Sequence, residues 1–203
     1  LRDAFGNPVR RAGHTVTFNT NLGTLSAAVN PNNRFGTQSQ HNFASLTDST
    51  GKAYVQITSL QAGVASVTAD VDHDRNNSTG PLAVVNGSPA IITFLPGPPV
   101  ALKVITEPSD TAYNQLAFSR QPKVALIDMH GNHSPQAGIS IQASLLQGAA
   151  TLLGSRNLLT DSLGYVQYTN LAIEGTAASY NLLLVSPGLT PDTSAQVVLA
   201  CIP

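Results

Sequence analysis

Thr47-Asp48-Ser49-Thr50-Gly51, followed by Tyr54-Val55-Gln56, returns downstream as Thr160-Asp161-Ser162-Leu163-Gly164, followed by Tyr165-Val166-Gln167. An upstream stretch returns as well. Asp3-Ala4-Phe5-Gly6-Asn7 with Ala12-Gly13 becomes Asp128-Met129-His130-Gly131-Asn132 with Ala137-Gly138, at one offset for both pieces (128 − 3 = 125; 138 − 13 = 125). A period of roughly one hundred residues, punctuated by Gly and Asn turns, marks a tandem array of small domains.

The segments between these turns alternate apolar and polar residues. Thr15-Val16-Thr17-Phe18-Asn19 sets Val16 and Phe18 on one face, and Ala53-Tyr54-Val55-Gln56-Ile57 would bury Ala53, Val55 and Ile57. Ala65–Ala69 and Ala90–Phe94 continue the first unit. The second has Leu102–Val104, Val124–Leu126, Ile139–Ala143, Tyr165–Tyr168, Tyr180–Leu184 and Val197–Leu199. Period-2 patterning between turn signals predicts half-buried antiparallel strands, and no segment sustains a capped 3.6-residue period. The predicted fold is all-β: two tandem immunoglobulin-like sandwiches. Residues 1–95 form the first, 96–99 (Pro96-Gly97-Pro98-Pro99) a stiff linker, and 100–203 the second.

Composition narrows the function. Of 203 residues 42% are apolar, enough for ordinary cores, but only 10% are charged, against about a quarter in typical domains. Thr, Ser, Asn and Gln cover the surface instead. Net charge is −1 and the Lys and Arg residues are scattered, which speaks against a nucleic-acid partner. No apolar run reaches the ~20 residues that span a bilayer, so no membrane insertion is expected from this segment. Cys201 is the single cysteine, so no intrachain disulfide forms and the domains stand on packing. Leu1 aligns with Leu126, so the first unit is expected to lack the leading strands that Pro99–Ala125 supply to the second. Those strands would come from upstream in a longer chain or from a neighbouring chain.

The turn residues have a physical reading. Asp accepts from local backbone amides, Gly supplies φ > 0 and Asn tolerates a left-handed conformation, so Asp3, Gly6 and Asn7, and again Asp128, Gly131 and Asn132, are expected to make tight hairpins. Thr-Asp-Ser-x-Gly is expected to do the same before the next strand.

Asp3 to Val9, Gly13 to Phe18, Gly23-Thr24-Leu25, Thr47 to Val55 and Gly63 to Ala69 resemble a bacterial immunoglobulin-like group 1 domain, the type repeated in invasin- and intimin-like surface adhesins. The second unit is similar to a related repeat through Leu102-Lys103-Val104, Glu107-Pro108-Ser109, Gln121-Pro122, Asp128 with Gly131-Asn132, and Tyr180-Asn181-Leu182. The resemblance implies an extracellular or cell-surface protein in which such modules form a stalk, with adhesion often in a distal domain. The expected partners are flanking Ig-like domains or neighbouring copies, with a host receptor or glycan as a further candidate.

Chemistry-bearing patterns are sparse. Asp70, Asp72, Asp74 and Asn76 alternate and could gather oxygen ligands for calcium, but strand alternation would set them on a solvent face, and the glycine and closing glutamate of a calcium loop are absent. No other cofactor is implied. His130 and His133 flank Gly131-Asn132 without the convergent third ligand of a zinc site, so an exposed turn is expected. Asn76, Asn77, Asn86 and Asn132 head Asn-x-Ser/Thr triplets. Neither a nucleophile elbow nor a phosphate loop is present, and the expectation is a protein that is not an enzyme. With no Trp and 5% aromatics, stacking platforms for sugars are few. The leading expectation is a structural or adhesive module in a repeat stalk. The alternatives are a filament or layer subunit completed by strands from its neighbours, and a glycan- or receptor-binding module using the long loops Asn30–His41 and Asp70–Ser88.

Overall fold

The computed structural model describes residues 10–28, 41–71, 83–84 (backbone only) and 88–200. It divides into two compact units, Leu1–Leu95 and Pro96–Pro203. Both are all-β, with no helix among the described residues.

The first unit contains β1 (Thr15–Thr20), β2 (Thr24–Ala27), β3 (Asn42–Leu46), β4 (Val55–Thr58), β5 (Gly63–Val71), β6 (Ala83–Val84) and β7 (Ala90–Phe94). One sheet runs β3-β1-β5-β6, with β7 also on β5, and β2-β4 form a second. β5 is long enough to serve two partners: its start pairs with β7 (Gly63↔Phe94 to Val67↔Ala90) and its end with β1 (Thr20↔Val67 to Val16↔Val71). Val16, Phe43 and Val71 from the larger sheet and Leu25 from the smaller are buried. The expected strand Ala53–Ile57 is shorter than its pattern. It is paired only from Val55, and Ala53, Val55 and Ile57 are half-buried instead of buried.

The second unit contains β8 (Ala101–Thr106), β9 (Thr111–Tyr113), β10 (Lys123–Ile127), β11 (Ser140–Leu145), β12 (Thr151–Leu153), β13 (Asn157–Leu159), β14 (Tyr165–Gln167), β15 (Ala172–Glu174), β16 (Ser179–Tyr180), β17 (Leu182–Val185), β18 (Asp192–Thr193) and β19 (Val197–Ala200). Its sheets run β14-β10-β8, β16-β19-β9 and β13-β11-β17-β18, with β12-β15 apart. Val124 and Leu126 of β10, Ile141 of β11, Val166 of β14, Leu184 of β17 and Leu199 of β19 meet in one cluster with Tyr168 at 0% exposure, which makes the unit a sandwich closed from both sides. Each such side chain contributes ~1.5–3 kcal/mol when withdrawn from water.

Two expectations need correction. The strands are not all antiparallel, because β9 lies parallel to β19 (Val198↔Thr111 to Ala200↔Tyr113). The chain leaves β8 at Glu107-Pro108, where Pro108 has no N–H for a ladder. Arg120 holds the crossing, donating Nε to Glu107 O (2.8 Å) and Nη2 to Pro108 O (3.0 Å) and Asp110 Oδ1 (3.2 Å). Asp192 Oδ2 accepts from Val104 N (2.8 Å), so a side chain joins β8 to the far sheet.

The second correction concerns the turns. Asp128–Asn132 closes only a short reversal, with Ser134 N on Leu126 O and a single bridge Ile127↔His133. It does not join paired strands: β10 and β11 lie in different sheets. Thr160–Gly164 likewise carries the chain from β13 to β14 in the other sheet, and Thr47–Gly51 carries it from β3 to β4. These are sheet-to-sheet crossings, in which side chains supply the bonds that a hairpin partner would have made.

Candidate functional site

The feature shared by both units is a bracket built on a buried threonine and the aspartate after it. Thr47 Oγ1 donates to Arg11 O (2.8 Å) and accepts from His14 N (3.0 Å). Thr160 Oγ1 donates to Gln136 O (2.8 Å) and accepts from Ile139 N (2.9 Å). Around each hydroxyl the backbone repeats too: Gly13 N on Thr47 O and Thr47 N on His14 O, then Gly138 N on Thr160 O and Thr160 N on Ile139 O. Gly13 and Gly138 hold φ of 83° and 81°, a region that side-chain-bearing residues rarely enter.

The aspartates repeat two backbone bonds, to which the first unit adds a hydroxyl. Asp48 Oδ1 accepts from Thr50 N (2.8 Å), Thr50 Oγ1 (2.6 Å) and Lys52 N (3.1 Å). Asp161 Oδ1 accepts from Leu163 N (2.9 Å) and Tyr165 N (2.9 Å). The Thr50 hydroxyl, then the Lys52 amide, holds the Asp48 carboxyl below its ordinary range. The bonds also correct the alignment read from sequence: the residue in Tyr165's place is Lys52, not Tyr54 (52 − 48 = 165 − 161). A two-residue shift keeps the same face of a strand, so the alternation could not reveal it.

Asp128 lies at 3% exposure in the second unit. Oδ1 accepts from His130 N (2.8 Å) and Asn132 N (2.9 Å), and Oδ2 from Asn132 Nδ2 (2.9 Å) and Gly97 N (2.9 Å). These donors, the Asn132 side chain foremost, hold its carboxyl far below the usual carboxylate range. Ser134 Oγ donates to Gly97 O (2.9 Å), so Gly97 of the Pro-Gly stretch is fastened at both its N–H and its C=O. Gly131, at φ 79°, permits the reversal. Pro96 and Pro99 are half-buried and Pro98 is exposed.

The other expected positions are placed as follows. Asp70 is half-buried in β5 opposite Thr17 and Val84. Asp72 and Asp74, and Asp3, Gly6 and Asn7, lie outside the described residues. Among the described residues, no group of three or more His, Cys, Asp and Glu could hold a metal ion. His130 is exposed, but His133 is not the exposed turn residue expected: it is half-buried and stacks on Tyr165 (centroids 4.2 Å, planes 12° apart). Lys123 Nζ lies 4.0 Å from the centroid of that tyrosine. A shallow open depression in the first unit is lined by Gly23, Thr24, His41, Thr58, Ser59 and Gln61 and brings no acid–base pair together.

Sequence reasoning treated the repeated threonines as turn punctuation and missed their hydroxyls as the hub of each bracket. The available signal was a Thr immediately before the Asp at both places. Tyr168 was read only as the end of a strand. It donates to Ile141 O (3.1 Å) from full burial, which pushes its phenol well above the ordinary range.

No protein-family model and no curated protein sequence matches the chain. Solved structures do match. The Yersinia pseudotuberculosis adhesin InvE is 18% identical over 98% of this chain and 52% of its own (TM-score 0.37). The Escherichia coli adhesin FdeC is 20% identical over 99% of this chain and 56% of its own (TM-score 0.40). A Parabacteroides merdae β-glucuronidase is 14% identical over 94% of this chain and 22% of its own (TM-score 0.37). The chain therefore spans about half the length of the two adhesin structures. No helix is long and apolar enough to cross a membrane among the described residues.

Proposed function

We propose that the chain is a non-catalytic structural and adhesive module of a bacterial surface protein, one stretch of an extracellular array of Ig-like domains that holds an adhesive element away from the cell. The observation that carries the reading is that the threonine's four bonds and the aspartate's two backbone-amide bonds recur at matching positions in two separately packed units. Repeat arrays reuse one local solution because each unit must fold with few contacts to its neighbours. The carboxylates at these turns are engaged by their own backbone amides, a structural use of charge, and Asp128 fastens the start of the second unit. The partners in this reading are flanking domains or neighbouring copies.

The test is a display experiment. The chain is placed between a membrane anchor and a known adhesive tip on a bacterial surface, then deleted or replaced by an unrelated pair of sandwiches of equal length. Replacement should preserve adhesion to cells and deletion should reduce it. Saturable binding of host cells by beads coated with the purified chain alone, abolished when residues 30–41 and 70–88 are removed, would overturn the spacer role in favour of a receptor-binding module.

A further inference from the structure

β19 is paired on both sides in the second unit: antiparallel to β16 (Tyr180↔Val197, Ser179↔Val198) and parallel to β9. Its counterpart in the first unit is β7. Register establishes the match, since Val67 faces Ala90 as Tyr180 faces Val197, and Ser66 faces Ile91 as Ser179 faces Val198 (197 − 90 = 198 − 91 = 107). Ile92 therefore stands where Leu199 stands, and Thr93 where Ala200 stands. Among the described residues, however, β7 pairs with β5 alone.

Exposure follows from that difference. Val197 and Leu199 are buried at 0% and 2%, in a sheet where Leu199 stands directly beside Ala112 of β9, itself at 4%. Ala90 is exposed and Ile92 only half-buried. The outward positions are alike, Ile91 at 62% and Val198 at 45%, so the two strands present the same faces and differ in what covers them. Exposed edges are normally blunted by charge, proline or a bulge. Lys103 marks β8 and Asp192 marks β18, but Ala90-Ile91-Ile92-Thr93-Phe94 carries no charge and no proline, and its ladder with β5 is regular over all five residues.

We propose that the outer edge of β7 is a strand-acceptor site. Its occupant is an extended polypeptide segment running parallel to β7, with a small apolar residue beside Ile92, after the pattern Thr111-Ala112-Tyr113 of β9. Backbone bonds would supply the affinity and the small inward residue the selectivity, as in other strand-addition complexes. The inference rests on the internal repeat and stands whether or not the chain serves as a stalk.

The test appends a second copy of residues 99–125 directly ahead of Leu1 in the full chain, with Cys201→Ser, and follows hydrogen exchange of the peptide that contains Ala90–Phe94. Exchange there should slow at least tenfold. Ala112→Lys in the appended copy, which leaves the acceptor untouched, should remove the gain. Direction is read by disulfide trapping: Ile91→Cys should cross-link to Thr111→Cys of the copy and not to Tyr113→Cys. Unchanged exchange of Ala90–Phe94, protection that survives Ala112→Lys, or preferential trapping at Tyr113→Cys would each overturn the proposal.

Discussion

At the ends of β3 and β13 the two units agree bond for bond, yet eight residues beyond each threonine they part. Thr47 and Thr160 each make four bonds to three residues at matching positions, in the same roles. Val55 and Tyr168 occupy matching positions (55 − 47 = 168 − 160), but Val55 is half-buried while Tyr168 is at 0% exposure with its hydroxyl on Ile141 O. The aspartate's bonds are local, and the threonine's reach back to a short Gly-containing segment, Arg11–His14 or Gln136–Ile139, that recurs with it, so the bracket is rebuilt wherever both pieces of sequence recur. Burial of the following residue depends on what lies across the sandwich. In the second unit β8, β9 and β10 bring Leu102, Ala112 and Leu126 over that core.

The comparison can be broken or sharpened by experiment, and the largest contrast lies at the divergent pair. Tyr168→Ala should cost ~3–5 kcal/mol in the unfolding of the second unit, by analogy with buried aromatic truncations. Val55→Ala should cost about 1 kcal/mol or less in the first, because little of its surface is withdrawn from water. Urea denaturation followed by hydrogen exchange of each unit measures both, and equal costs would show that Val55 is as well covered as Tyr168.

The brackets should behave in the opposite way. Thr47→Val and Thr160→Val each remove a buried hydroxyl that donates to one carbonyl and accepts from one amide, and each should cost ~1–3 kcal/mol. The two losses should be alike, because the two hydroxyls hold the same bonds at nearly equal burial. A difference above ~1 kcal/mol would mean that the matched geometry hides unequal energetics.

Alkaline pH should separate the units, and acid pH should reach both. The folded state of the second unit keeps Tyr168 protonated where the unfolded chain, titrating near ~10, releases the proton, so this stabilisation is fully present below that value and falls as pH rises through it towards the folded pKa. An alkaline titration of thermal stability should show the loss in the second unit, and Tyr168→Phe should flatten it. Asp48 and Asp128 have lowered folded pKa values, so their contribution is present above the ordinary Asp range and is lost as pH falls through the folded values. Asp128→Asn should make the acid limb of the second unit shallower, and Asp48→Asn should do so for the first.

The smallest effect should come from Lys123 over Tyr165, a surface cation–π contact that the first unit cannot form because Lys52 stands at the tyrosine's position. Lys123→Ala should cost ~0.5–1 kcal/mol with Tyr165 present and less in a Tyr165→Leu background, by a double-mutant cycle.

Much of this architecture was readable before any coordinates. Ala90–Phe94 coincides with β7, and Val124–Leu126, Ile139–Ala143 and Val197–Leu199 each overlap a paired strand, because period-2 alternation follows directly from strand geometry. β9, β12, β13 and β18 were not legible. At two or three residues they hold no full alternation, and they exist because neighbouring strands offer free edges. The bracket was half legible: the repeated Thr-Asp and Gly were visible as a turn, but the partners of the hydroxyl, Arg11 and Gln136, lie 36 and 24 residues away along the chain.

Local chemistry alone, then, set the alternation, the left-handed glycines and the aspartates that gather nearby amides, since each of these involves residues within a few positions of one another. Which sheet each turn delivers its strand to, the parallel seating of β9 on β19, the burial of Tyr168 and, among the described residues, the pairing of β7 with β5 alone were decided only when distant segments met. They depend on which surfaces face each other across the sandwich, and a linear pattern records the face of a strand without recording its neighbour.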